Sequence, residues 1–236
     1  MAGYEILLSG FPGSISRGYL GWSTVSLLHT PEGPVLFDTG AHNDRPGLMA
    51  ALRERGLDPE EIAAILPSHL HFDHIANAEC FPNARLLLHE DLLDAFERYG
   101  PQDPAMPIFL VRQMLGAMPV AMLRDEPELW PGVRILRTPG HCEGHISLLL
   151  DRGEARTVLA QDAVKHRGEL ASGVSDMARD PVAARASIRR IRDLAEVVVP
   201  GHDVPLRVAK DELEPLAPLR SSVTCTINGS SMELTL

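Results

Sequence analysis

The chain has 236 residues, of which 44% are hydrophobic, and its formal net charge is −10 at pH 7. This length suits one globular domain with a large core, and the mixed composition excludes fibrous and disordered proteins. The acidic charge disfavours general binding to nucleic acids. The first residues lack a basic region and a long apolar run, so we expect a cytoplasmic protein with no membrane partner.

Short aliphatic runs, separated by proline and glycine, predict alternating strands and helices. Because strands outnumber helices, two β-sheets with helices on their outer faces would satisfy the pattern. The predicted strands are Tyr4–Leu8, Ser23–His29, Val35–Asp38, Ala63–Pro67, Arg85–Leu88, Val133–Arg137, Ile146–Leu150, Arg156–Ala160 and Val197–Pro200. The predicted helices are Pro46–Arg55, Asp91–Tyr99, Pro107–Leu115 and Pro181–Leu194.

Four potential metal ligands, His69, His71, Asp73 and His74, follow the strand at Ala63–Pro67 within six positions. Imidazole and carboxylate groups suit zinc, iron or manganese, and a loop after a buried strand can present them as a preformed site. In an extended segment His69 and His71 point the same way, whereas Asp73 and His74 follow once the chain turns and can face a second ion. The spacing therefore predicts two metal ions.

Three further donors, His141, Asp162 and His202, come directly after later strand-like runs. The loops after strands are where an α/β scaffold collects its active-site residues. A site for two ions needs more than four ligands. We therefore expect these three side chains to join the first four.

The order of these motifs resembles the metallo-β-lactamase superfamily: His-x-His-x-Asp-His at 69–74, Thr-Pro-Gly-His at 138–141, a strand-end Asp162, and Gly-His at 201–202. The likeness runs from about Val35 to His202. It implies an αββα sandwich, an α/β (α+β) fold of two β-sheets with outer helices and the site at one end. It also implies that one ion is bound by His69, His71 and His141 and the other by Asp73, His74 and His202, with Asp162 between them.

Two groups of this superfamily share features with the chain. Ser68–His74, Trp130–Val133, Thr138–His141 with His145, and Gly201–Asp203 resemble the N-acyl-homoserine lactonases. However, Ile75–Ala78 stands where those enzymes usually have Ala-Gly-Gly-Asn, and their N-terminal region is longer. His74-Ile75, Asn77, Phe81-Pro82 and Glu196–His202 with Pro205 and Arg207-Val208 are more similar to the metallo-β-lactamase domain-containing protein 1 group, for which RNA cleavage has been proposed.

Such a site predicts a hydrolase with two divalent metal ions, zinc first and iron or manganese as alternatives. The ions would hold a bridging water and lower its pKa, which makes a bridging hydroxide available. Asp73, besides binding metal, is placed to take a proton from that water and pass it to the leaving group. We expect Asp38 and His145 to fix the tautomers of the ligand histidines through hydrogen bonds.

The residue at position 165 bears on the choice between two substrate classes, a neutral ester or lactone and an anionic substrate. The lactonases that the chain resembles carry a tyrosine three residues after the bridging aspartate, where this chain has Lys165. A catalytic lysine could act as an electrophile or anchor an anionic group, whereas a surface lysine would face solvent. We expect hydrolysis of a small ester or lactone, with a phosphodiesterase or ribonuclease as the alternative. A non-catalytic binding module would have lost ligands, and none is missing.

A small-molecule partner is favoured over nucleic acid. Arg185, Arg189, Arg190 and Arg192 could hold phosphates, but they lie on the predicted helix at 181–194. Asp180 is the expected N-cap of that helix, and its apolar stripe of Ala184, Ile188, Ile191 and Leu194 faces inward. The arginines should therefore mainly cover the solvated face.

Two segments concern partners and domain organisation. The methionine-rich, apolar Met106–Leu123 predicts a lid, an apolar wall for the substrate or a dimer surface, with an ordinary helix pair over the core as the alternative. Apolar residues alternate on both sides of Asn228-Gly229, which predicts a hairpin that closes a sheet edge or pairs with a second subunit in a homodimer. We expect residues 1–220 to form the catalytic domain and residues 221–236 to form a hairpin tail of the same domain.

Overall fold

The computed structural model describes residues 3–16, 18–151, 155–209, 212–219, 222–228 and 230–235. Its strands are β1 (Tyr4–Leu8), β2 (Ser14–Ile15), β3 (Gly18–Tyr19), β4 (Val25–Thr30), β5 (Gly33–Phe37), β6 (Ala64–Leu66), β7 (Arg85–His89), β8 (Val120–Leu123), β9 (Glu128–Trp130), β10 (Val133–Arg137), β11 (Ile146–Leu150), β12 (Thr157–Gln161), β13 (Val197–Pro200), β14 (Leu206–Ala209), β15 (Glu212–Pro215), β16 (Ser222–Ile227) and β17 (Ser230–Thr235). Its α-helices are α1 (Arg45–Glu54), α2 (Phe72–Ile75), α3 (Glu90–Tyr99), α4 (Ile108–Ala117), α5 (Arg167–Ser172) and α6 (Pro181–Leu194).

Most strands belong to two sheets. The first has the order β1-β4-β5-β6-β7-β8, and the second has the order β15-β14-β13-β12-β11-β10-β9. Strands β5 to β8 are parallel neighbours, and in the second sheet β12 and β13 are parallel. The carboxyl ends of parallel strands meet at one edge of a sheet, so the loops after β12 and β13 lie side by side in the second sheet, whereas the loop after β6 comes from the first sheet.

Alternate side chains of the central strands serve two different cores. Leu36 and Ile65 pack under the helices of the first sheet, whereas Val35, Phe37 and Leu66 pack against the second sheet. This period of two is what a strand covered on both faces requires. A third apolar cluster lies between the second sheet and helices α5 and α6. The layers are therefore helix, sheet, sheet and helix, which confirms the predicted sandwich.

The segment Met106–Leu123 is not a helix pair. It forms α4 and then β8, which pairs in parallel with β7 at the edge of the first sheet. Its apolar composition fits both a covering helix and a strand, and only the pairing with β7 decides between them. The prediction also omitted β9, β14 and β15, which are short strands at the two ends of the second sheet, and the short helix α5.

Helix α6 begins as predicted. The Asp180 carboxylate accepts hydrogen bonds from the backbone N–H groups of Val182 and Ala183, and Pro181 is the first helical residue. Its arginines are not all free for phosphate, since both terminal nitrogens of Arg190 donate to the carboxylate of Glu126.

In the described part of the predicted C-terminal hairpin, β16 and β17 pair with each other on either side of Asn228, and residues 221, 229 and 236 lie outside the described residues. Within the described residues these strands pair only with each other, so the expectation that they close the edge of a larger sheet is wrong. Pairing with a second subunit stays a prediction. Among the described residues, no helix has the length and apolar character needed to cross a membrane.

Candidate metal centre

The ends of four strands bring all seven predicted ligands together. His69, His71, Asp73 and His74 follow β6, His141 lies between β10 and β11, Asp162 follows β12, and His202 follows β13. Three overlapping sets have ligand atoms within 4.8 Å of one another: His69 with His71 and His141, His69 with His74 and Asp162, and Asp73 with His74 and His202. Distances of this size suit shared metal ions.

Asp162 lies between two groups of histidines. Its Oδ1 is 3.3 Å from Nε2 of His74 and 3.3 Å from Nε2 of His202, whereas its Oδ2 is 3.4 Å from Nε2 of His141. Each carboxylate oxygen therefore faces a different group. A Cβ at Gly201 would lie 2.2 Å from Asp162 Oδ1, so only glycine fits beside this carboxylate.

Hydrogen bonds on the outer side of the rings fix the tautomers. Ser68 Oγ donates to Asp38 Oδ2, so its oxygen can only accept from Nδ1 of His69, 2.9 Å away. Nδ1 of His74 donates to Asp38 at 2.7 Å, and Nδ1 of His202 donates to the carbonyl of Trp22 at 2.9 Å. In the neutral form of all three rings Nε2 then carries a lone pair that points into the cluster.

The inward-facing donors fit metal ions. Nε2 of His69, Nε2 of His74 and Oδ1 of Asp162 are buried and have no hydrogen-bond partner among the described residues. Lone pairs that face one another in a buried site are unfavourable unless a cation lies between them. The donor set of imidazoles and carboxylates matches the preference of zinc, iron or manganese.

Electrostatics supports the same interpretation. Burial holds the pKa of His69 and of His141 well below the usual histidine value, so both rings stay neutral and can bind metal. Burial also lowers the pKa of His74, but the charges of Asp73, Asp162 and Asp38 outweigh it and raise that pKa well above the usual value. These carboxylates create a negative potential that would attract a proton or a metal ion alike.

Of the two predicted supporting residues, Asp38 is confirmed and His145 is not. The buried Asp38 carboxylate accepts from Ser68 N, Ser68 Oγ, His74 Nδ1 and Gln161 Nε2. Nδ1 of His145 instead bonds Thr138 Oγ1 at 2.9 Å, because the 138–145 loop closes on itself. His145 makes no hydrogen bond to a candidate ligand in the described structure, although its ring packs 5.1 Å from that of His69.

One further hydrogen-bond partner of the candidate ligands, Asp103, could not be predicted from the sequence. Its Oδ2 lies 3.0 Å from Nε2 of His71, and this hydrogen bond is the main reason that the pKa of Asp103 falls to about 2. Asp103 lies 32 positions from His71 on the loop before α4, outside any motif.

A cavity of about 530 Å³ opens over the candidate ligands. Phe11, Tyr19, Phe72 and Met177 form much of its apolar wall, and none of residues 106–123 lines it. The expectation that the Met106–Leu123 segment forms the substrate wall is therefore wrong, because α4 packs on the core of the first sheet and β8 forms an edge strand of that sheet.

Lys165 also lines this cavity and is not a surface lysine. Its side chain is 10% exposed, and Nζ lies 3.4 Å from Oε1 of the buried Glu169. The same carboxylate, through Oε2, accepts from the Lys165 backbone N–H at 2.7 Å. Glu169 therefore holds Lys165 at the wall of the cavity.

Comparison with known proteins places this geometry in a family. A family model described as the metallo-beta-lactamase superfamily matches residues 19–202. The metallo-beta-lactamase domain-containing protein 1 of Mus musculus is 31% identical over 216 residues, which cover 89% of this chain and 76% of the mouse protein. The N-acyl homoserine lactonase of Bacillus cereus is 28% identical over 206 residues, which cover 75% of this chain and 80% of the lactonase. A candidate metallo-beta-lactamase from Thermotoga maritima superposes with a TM-score of 0.70 at 26% identity, over 87% of this chain and 99% of the other.

Proposed function

The chain belongs to the metallo-β-lactamase superfamily, and from this premise we propose that it is a hydrolase with two divalent metal ions that cleaves a small ester or lactone. The observation that carries the proposal is the position of Asp162, whose two oxygens face two different groups of histidines. A carboxylate in this position can bridge two ions and set their separation.

The proposed ligand sets follow from the same geometry. His69, His71 and His141 would hold one ion, and Asp73, His74 and His202 would hold the other, with Asp162 shared. When bound, such ions, with zinc as our first choice, supply an acidified water as nucleophile and polarise the oxygen of the bond under attack.

The chain's own residues handle the proton and the substrate. Asp73 lies at the inner wall of the cavity, with Oδ2 3.6 Å from Nε2 of His202. We assign to this carboxylate the transfer of a proton from the attacking water to the leaving oxygen. His69, His74 and Asp162 are buried, and the low dielectric around them strengthens each electrostatic contact.

The shape of the cavity favours a substrate with an apolar part. Phe11 and Phe72 lie near the candidate ligands, and the exposed Tyr19 and Met177 lie further out. This surface suits an acyl chain or an apolar ester group. The similarity to an N-acyl homoserine lactonase supports the same substrate class.

One observation favours a phosphodiesterase as the second candidate. Lys165 and Arg179 both line the cavity, and the Arg179 guanidinium lies 4.2 Å from the centre of the Tyr99 ring. A guanidinium held on an aromatic ring is well placed to bind an anionic group. A phosphodiester or a carboxylate-bearing ester would use these cations, and a neutral lactone would not.

The test is a comparison of substrates on the zinc-loaded protein. N-butanoyl and N-decanoyl homoserine lactone, an aryl acetate, bis(4-nitrophenyl) phosphate and single-stranded RNA would be assayed with wild type, Asp162→Ala and Asp193→Asn. Asp193 is an exposed carboxylate on α6 that neither lines the cavity nor belongs to the candidate ligand sets, so its variant is the control.

We expect lactone or ester hydrolysis that is higher for the longer acyl chain, is abolished by Asp162→Ala and is retained by Asp193→Asn. Faster cleavage of the phosphodiester or RNA would establish the second candidate. Activity that survives Asp162→Ala would refute the proposed site.

A further inference from the structure

The outer nitrogen of His71 is held differently from those of the other rings. Nδ1 of His71 faces the cluster, 3.1 Å from Nε2 of His141, so Nε2 points outward. There it meets Oδ2 of Asp103 at 3.0 Å, and the two side chains are only 9% and 16% exposed. A carboxylate can only accept, so Nε2 carries the proton and Nδ1 keeps its lone pair.

The loop around Asp103 holds its carboxylate in place. Oδ1 accepts from the backbone N–H of Ala105 at 2.9 Å, and the Asp103 carbonyl accepts from Met106 N at 3.1 Å. The carbonyl of Ala105 in turn accepts from the N–H of Phe72, next to His71, at 3.0 Å. The loop at 100–107 is thus joined to the histidine segment by both a side chain and the backbone.

We propose that Asp103 is a positioning residue for metal binding, which fixes the tautomer and ring orientation of His71 so that Nδ1 can bind the ion shared with His69 and His141. The inference rests on the proposed function, since it concerns one of the two proposed ions. A carboxylate on the outer nitrogen also makes the inner nitrogen a stronger ligand.

Asp103 needs both of its oxygens. Oδ1 accepts a hydrogen bond from Ala105 N and Oδ2 accepts one from His71 Nε2, whereas an asparagine side chain has only one acceptor oxygen. If its oxygen faces Ala105, its amide group points at His71 and favours the opposite tautomer, with the proton on Nδ1. In this orientation Asp103→Asn preserves the turn of the loop and removes the contact that orients His71. The variant therefore distinguishes a role in positioning His71 from a purely structural role in the loop.

The experiment titrates metal-free protein with zinc in competition with a chromogenic chelator, for wild type, Asp103→Asn and the control Asp176→Asn. Asp176 is a carboxylate in the same cavity, 3.9 Å from His166. We expect Asp103→Asn to weaken one of the two binding steps about 10- to 100-fold, the usual effect of losing an outer hydrogen-bond partner. The other step, and both steps of Asp176→Asn, should stay within about twofold of wild type.

A second readout needs no metal. Long-range ¹H–¹⁵N correlation spectra of the metal-free protein should show His71 protonated on Nε2 in wild type and shifted toward Nδ1 in Asp103→Asn. The inference is overturned if Asp103→Asn binds both ions as wild type does, if it weakens both steps equally, or if the tautomer of His71 does not change. If wild type itself binds fewer than two ions, the proposed function fails instead.

Discussion

Oδ2 of Asp38 accepts a hydrogen bond from Nδ1 of His74 at 2.7 Å, and both side chains are fully buried. Asp38 has a left-handed backbone conformation, with φ of 64°, which a non-glycine residue adopts only when its surroundings hold it. The four hydrogen bonds to its carboxylate provide that support. The end of β5 thereby orients a histidine that follows β6.

Asp38→Asn should weaken metal binding about 10- to 100-fold and destabilise the fold by about 1 to 3 kcal/mol. The amide keeps only one oxygen. With that oxygen at the Oδ1 position, His74 Nδ1 and Gln161 Nε2 lose their acceptor, and with it at the Oδ2 position the backbone N–H of Ser68 does. Zinc titration and urea unfolding would measure the two effects. Asp193→Asn, on the exposed face of α6, is the control and should change neither. A variant with wild-type zinc affinity would show that Asp38 does not support the site.

Lys165→Ala should lower kcat/KM for an anionic substrate by an amount equivalent to about 1.5 to 3 kcal/mol, because the variant would lose the hydrogen bond from the lysine to the charged group of the substrate. The metal content should stay unchanged. For a neutral lactone the loss should be smaller. Steady-state kinetics with a carboxylate-bearing ester and a matched neutral ester would measure the difference. Equal kinetics of wild type and variant on both esters would restrict Lys165 to its ion pair with Glu169.

The ion pair between Glu126 and Arg190 predicts a pH-dependent stability. The hydrogen bonds from Arg190 lower the pKa of Glu126 in the folded state. A carboxyl group whose folded pKa is depressed stabilises the fold above its unfolded pKa, and this stability is lost as the pH falls through the folded pKa. Glu126→Gln should therefore lower the free energy of unfolding by about 0.5 to 1 kcal/mol at pH 7, a value reduced for partial exposure.

Below the folded pKa of Glu126, the variant and wild type should unfold with nearly equal free energy. Urea unfolding from pH 7 down to about pH 3 would follow the convergence. Glu214→Gln is the matched control, because Glu214 and Arg207 form a mostly exposed pair at 3.3 Å. A difference that stays constant over the whole range would mean that the charge of Glu126 is not its source.

Removal of residues 221–236 should leave metal binding intact and reduce the mass of the particle in solution. The hairpin is remote in sequence from every proposed ligand, and in the described residues its strands pair with neither large sheet. An unpaired apolar strand edge is a common pairing surface between chains. Light scattering would measure the mass, and an unchanged mass would contradict the proposed homodimer.

The candidate ligands could be found from the sequence because their signals are local. Each follows a strand whose aliphatic run marks the strand end, and Asp38 follows another. Whether these ligands meet in one site depends on the order of the strands in the sheets. The motifs indicated that strand order only through the resemblance to a family. The outer nitrogens of His69 and His202 donate to a neighbouring hydroxyl and to the carbonyl of Trp22. A contact with a backbone carbonyl cannot be predicted from residue types.

The features that the sequence predicted wrongly or missed also have physical causes. Met106–Leu123 has the composition of a covering helix, and its last four residues form a strand because β7 offers a free edge. Asp103 reaches His71 from an irregular loop, where no periodicity predicts direction. Lysine is usually exposed, so the burial of Lys165 could not be expected from its residue type. The one signal was Glu169, four residues later, at the spacing of an i,i+4 ion pair.

In our proposal one site holds two metal ions through two ligand sets that share Asp162. Elemental analysis of protein saturated with zinc and freed of excess ion should find two ions per chain in wild type. His71→Ala and His202→Ala, which remove one proposed ligand from each set, should each retain about one ion and lose nearly all hydrolysis with little change in fold. A fully active wild type with one ion or none, or two tightly held ions in either variant, would contradict the account.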